Sequence, residues 1–120
     1  MRNLLAAALA AAAFMTPQSS EARGWTVITL GMVSSVEVCQ SRAEQMFSWQ
    51  GSTLQVSRIG NHIAAYGLQG KDIDASVACV IAGNGQVAAS LTMHTWSYDE
   101  DENTFRFEHA KRMRGYWETQ

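Results

Sequence analysis

Residues 75–96 read ASVACVIAGNGQVAASLTMHTW, and this stretch decides the fold. Val77, Cys79 and Ile81 recur at every second position before the turn, and Val87, Ala89, Leu91 and Met93 do so after it. A period of two puts each set on one face of a strand. Between them, Asn84-Gly85 supplies the positive φ angles that a two-residue type I′ hairpin turn requires. The segment predicts paired strands, Ala75 to Ala82 and Gln86 to Trp96, with one apolar face that needs a covering layer.

Toward the N-terminus the same logic adds elements. Leu54 to Ile59 and His62 to Leu68 flank Gly60-Asn61, a second hairpin signal. Before them Val36, Cys39, Ala43, Met46 and Phe47 step by three and four, which makes one stripe of a helix. Glu37, Gln40, Arg42, Glu44 and Gln45 fall largely outside that stripe. Ser34 and Glu37 carry the spacing of a capping box, and Gly51 is a natural stop. Trp25 to Val33 is β-branched and apolar, and alternation groups Ile28, Leu30 and Met32 on one side of a strand.

Toward the C-terminus an acidic cluster, Asp99 to Asn103, precedes Phe105 to Trp117. At helical spacing Phe105, His109, Ala110, Met113, Tyr116 and Trp117 share an arc, into which Arg106 intrudes. Acids before the segment and bases within its later turns suit a helix dipole. The alternation of Phe105-Arg106-Phe107-Glu108 is the competing strand pattern, and the longer arc favours the helix. The expected fold is therefore α+β. It is a two-layer sandwich in order β-α-β-β-β-β-α, an antiparallel sheet of about five strands covered on one face by two helices.

Cys39 lies on the helix stripe and Cys79 on the inward strand face, so the two are expected to form a disulfide. No CxxC spacing supports a metal or redox pair.

The first residues read as a bacterial-type export signal. Arg2 precedes an unbroken apolar run from Leu4 to Met15, and Ser20-Glu21-Ala22 offers small residues at a cleavage site. A helix of about 12 residues reaches roughly 18 Å, short of the roughly 30 Å hydrocarbon core of a bilayer. The expected division is a signal peptide over residues 1–22 and one domain over 23–120, periplasmic or secreted, with no membrane span after cleavage. No cysteine follows the apolar run to carry a lipid.

With 9 Lys and Arg against 11 Asp and Glu, the chain lacks the basic balance of a nucleic-acid binder. No GxSxG segment and no glycine-rich phosphate loop is present, so no catalytic or cofactor-binding residues are assigned. His62, His94 and His109 show no ligand spacing such as HxxxH. His94 alternates with Trp96 on one strand face, and His109 reads as a hydrogen-bonded core residue. Asp99, Asp101 and Asn103 carry the opening spacing of a calcium loop. Thr104 stands where that loop needs glycine and Ala110 where it needs glutamate. These three, or Asp99, Asp101 and Glu102 with main-chain carbonyls, are the candidates for a weakly held hard cation, and a cap for the following helix is the plainer use of the cluster. Trp96 and Tyr98, or Tyr116 and Trp117, are either core residues or a platform for a carbohydrate or protein partner. The reading is a non-enzymatic binding or interaction module whose partner is a protein or small ligand outside the cytoplasm. A weak calcium-type binder and a small accessory hydrolase are the alternatives.

Overall fold

In the computed structural model, which describes residues 24–53 and 55–120, the chain runs β1 (Trp25–Val33), α1 (Val36–Trp49), β2 (Gln55–Ile59), β3 (His62–Tyr66), a short 3₁₀ turn (Leu68–Gly70), β4 (Ile73–Ile81), β5 (Val87–Thr95) and α2 (Glu100–Thr119). The expected signal segment, residues 1–22, and Leu54 lie outside the described residues. Among those described, no helix is long and apolar enough to cross a membrane.

The five strands form one antiparallel sheet in the order β1-β5-β4-β3-β2. Strands β2 to β5 make the expected meander. β1 joins the far edge beside β5, so α1 must carry the chain across the sheet from one edge to the other. Fourteen helical residues rise about 21 Å, enough to cross four strand spacings of about 4.8 Å. Accordingly α1 touches all five strands, while α2 packs over β1 and β5 and against α1.

Both helices lie on one face. Cys39, Ala43, Met46 and Phe47 of α1 and Ala110, Met113 and Trp117 of α2 are buried against Ile63, Ala75, Val77, Cys79, Ala89, Leu91 and Met93 of the sheet. Cys39 and Cys79 are joined, with Cα atoms 6.0 Å apart. The bond ties α1 to a central strand and points to an oxidising, non-cytosolic environment.

Several local details depart from the sequence pattern. Ser35, not Ser34, caps α1, its hydroxyl accepting from Val38 N at 3.1 Å. Gln40 is buried despite its polarity, because its amide donates to Gly60 O (2.9 Å) and accepts from Arg58 Nη1 (3.1 Å). Arg58 also pairs with Glu44 at 2.6 Å, which holds that carboxyl below its usual range and ties β2 to α1. The β4–β5 connection is a three-residue loop: Gly85 N bonds Ala82 O and Ala82 N bonds Gln86 O. Only Gly85 has positive φ there, so the turn is type I-like with a glycine bulge and not the expected type I′. Met32 was grouped with Ile28 and Leu30, yet it is exposed and Val33 is buried in its place. A bulge between Thr29 and Gly31 (φ +103) inserts one residue against β5 and reverses the alternation beyond it.

The C-terminal segment is helical throughout and starts before Phe105. Glu100–Asn103 form its first turn instead of a loop, and the intruding Arg106 is buried at 1 % exposure. Its Nε donates to Thr26 Oγ1 (2.8 Å) and its Nη1 to Thr95 Oγ1 (3.1 Å) and to Asn103 Oδ1.

Candidate functional site

Among the described residues nothing covers the sheet face opposite the helices, and its side chains are read from the register. Trp25, His94 and Asp74 stand side by side across β1, β5 and β4. In the next row stand Val27, Thr92, Ser76 and Ala64. Small side chains in that second row leave a depression. Its floor is Ala64, Ser76 and Thr92, its walls are Trp25, Tyr66, His94 and Trp96, and Asp74 borders it beside His94. The cavity measures about 390 Å³, within the usual size of small-molecule sites.

The walls are held in place. The His94 ring lies 4.2 Å from Trp25, tilted by 40°, and 4.5 Å from Trp96, edge to face at 88°. Trp96 follows the end of β5 but stays on the ladder through its amide, which bonds Asp72 O at 2.9 Å. Its indole Nε1–H donates to Asp74 Oδ2 at 2.6 Å, and Gly67 N donates to Oδ1 at 3.2 Å. Both carboxylate oxygens thus accept a hydrogen bond, and His94 packs against the two indoles. On the far side of the His94–Trp96 pair a second hollow of about 280 Å³ opens onto Tyr98. Gly24 borders it at φ +86, where a Cβ would meet Thr95 O at 3.3 Å, so the chain can close this tightly only with glycine.

A third cavity, about 320 Å³, lies on the helical side beside Trp49, Phe105 and His109. Arg112 Nη2 donates to His109 Nδ1 (3.2 Å), so the ring proton sits on Nε2 and is donated to Gln50 Oε1 (3.0 Å). With both nitrogens engaged, His109 has no free lone pair with which to take a proton from a substrate. Burial first, and the Arg112 charge second, push this imidazole from 6.5 down to about 4. The unfolded chain therefore binds a proton near pH 6.5 that the folded protein refuses until about pH 4. Stability is present in full above pH 6.5 and is lost as pH falls through that window, by about 3 kcal/mol at most. Urea unfolding between pH 7 and 4 should show this slope, and His109→Gln should flatten it. Glu44 contributes in a lower window, below its unfolded value of 4.5. An unchanged slope in His109→Gln would refute the assignment.

The candidates read from sequence are placed as follows. Asp99 is the N-cap of α2, its Oδ1 accepting from Asp101 N (2.8 Å) and Glu102 N (3.2 Å). The Asp101 side chain is exposed on the first turn. Asn103 donates to Asp99 O at 2.7 Å and turns its amide oxygen to Arg106, a cation already in place. Among the described residues no group of three or more His, Cys, Asp or Glu converges as metal ligands. His94 and Trp96 do share the open face, as their alternation required. Trp117 is buried, and Tyr116 stacks on Trp49 at 4.7 Å, so these two form no platform. Trp25, Tyr66 and Asp74 were not singled out from sequence. Their signal was weak but present, since Trp25 and Asp74 occupy the outward positions of their strands.

No family model, curated protein or solved structure matches the chain.

Proposed function

We propose that the chain is an exported, non-enzymatic binding module, periplasmic or secreted, whose ligand surface is the uncovered face of the sheet. The observation that carries this reading is the groove walled by Trp25, Tyr66, His94 and Trp96 over a floor of small residues. Aromatic rings held by their neighbours offer large contact area at low entropic cost. Binding is favoured over acid–base chemistry by the way the two central ionisable side chains are held, the other polar groups of the groove being the Tyr66, Ser76 and Thr92 hydroxyls. Asp74 accepts from Trp96 and Gly67, and His94 packs between two indoles. The disulfide and the Arg2 to Ala22 pattern both support export.

A small-molecule screen against the disulfide-bonded protein, read by amide chemical shifts, tests the assignment. Hits should perturb Trp25, Ser76, Thr92 and His94, and Trp25→Ala with Trp96→Ala should weaken them at least tenfold. Hits that leave these residues unmoved and shift the His109 cavity would refute it.

A further inference from the structure

We infer that the groove on the open face takes a small organic cation with a methylated ammonium head, held by the Trp25, Tyr66 and Trp96 rings against the Asp74 carboxylate. The inference rests on reading that face as the ligand surface and adds the chemistry of the ligand.

Charge is the first argument. Asp74 is the one carboxylate lining the groove, and among the described residues no Lys or Arg pairs with it. Lys71, the nearest base in sequence, holds its ammonium over the Phe105 ring, 4.9 Å from the centroid. The chain around the Trp96 end is acidic: Asp72 supplies the carbonyl that holds the Trp96 amide, and Asp99 to Glu102 follow Tyr98. A carboxylate beside aromatic walls without a counter-ion leaves a negative potential in the groove that attracts a cation.

The rings are the second argument. Aromatic faces attract cations through their quadrupole, and indole does so best. The Trp96 N–H bonds a carboxylate oxygen at 2.6 Å. That anionic acceptor polarises the indole and raises the negative potential of its face.

The hydrogen-bond inventory selects the type of cation. A primary ammonium brings three donors and must find an acceptor for each. Each Asp74 oxygen already accepts one bond, from Gly67 N or from the Trp96 indole, and the Ser76 and Thr92 hydroxyls lie on the floor while ring faces form most of the walls. A quaternary ammonium carries the charge without donors, so it loses nothing in this groove.

Titration calorimetry and amide shifts on the wild-type protein decide the question with choline, its uncharged isostere 3,3-dimethylbutan-1-ol, ethanolamine and cellobiose as probes. Choline should bind saturably, shift Trp25, Asp74 and Trp96, and exceed both the isostere and ethanolamine at least tenfold. Asp74→Asn should remove that preference for choline over its isostere. Trp25→Ala, at an exposed position, provides a second variant that should weaken choline binding. Equal binding of choline and isostere at the groove would overturn the cation while leaving the open face as the ligand surface. Ethanolamine as tight as choline, cellobiose in its place, or no saturable choline binding would also overturn it.

Discussion

Replacing Cys39 and Cys79 together by alanine is expected to lower the free energy of unfolding by about 4 kcal/mol. The two residues are 40 apart in sequence. In the chain-entropy account a crosslink closing a loop of that length is worth about 4 kcal/mol, because it shrinks the unfolded ensemble. Both cysteines are fully buried, so the exchange also removes packed sulfur from the interface of α1 with β4. For a domain whose whole margin is about 5–15 kcal/mol, the loss is severe. Urea unfolding of the reduced wild type, which keeps both sulfurs, should show the crosslink's share of the loss, and the double variant should lose somewhat more. A loss below about 1 kcal/mol in both would show that the crosslink contributes little.

Trp117→Ala should cost a similar amount, about 3–5 kcal/mol, through lost burial and the cavity left behind. Trp117 is 2 % exposed and belongs to the core where α1 and α2 meet the sheet. The Arg42 guanidinium stacks 4.4 Å above its ring, and Arg42 Nη2 donates to the Trp117 carbonyl. Arg42 Nε is buried with no hydrogen-bond partner among the described residues, so the ring face is what offsets that group's desolvation. Removing the ring therefore harms two residues at once. Trp117→Phe keeps a ring face and should recover more than half of the loss, as measured by the same unfolding curves. Equal destabilisation by both substitutions would assign the effect to the indole edge and not to the stacked face.

Much of this architecture was legible because local periodicity reports which face is covered. The inward sets Val77 and Cys79, Val87 to Met93, and Cys39 to Phe47 needed no knowledge of the fold, whereas Ile81, counted with Val77 and Cys79, is 65 % exposed at the end of β4 where the helices no longer cover the sheet. Misreadings arose where a single backbone event or a distant partner intervened. The bulge at Gly31 moved Met32 to the open face, and period-two counting cannot see an inserted residue. Gln40 and Arg106 are buried because Gly60, Arg58, Thr26 and Thr95 satisfy them, and those partners lie 11 to 80 residues away. The open-face groove was hidden for a similar reason. Outward positions of Trp25, Asp74 and His94 can be counted in each strand, but their convergence depends on β1 lying beside β5. The acidic cluster drew attention because its spacing is local, and the structure uses Asp99 to cap a helix.

The position of β1 at the far edge also sets the order in which the sheet can assemble. Strands β2 to β5 pair with sequence neighbours, while the nearest β1–β5 partners, Val33 and Val87, are 54 residues apart. Contacts that distant form late, after the closure entropy of the intervening loop is met. The Cys39–Cys79 bond shortens that path to the six residues from Val33 to Cys39 and the eight from Cys79 to Val87. By loop-closure scaling the shortcut removes about 1 kcal/mol from the entropic barrier to docking β1. Until β1 docks, Trp25 has no His94 to pack against and the free edge of β5 can pair with the β1 of another molecule. Oxidation ahead of β1 docking is therefore expected to favour closing the sheet within one chain over strand exchange between chains.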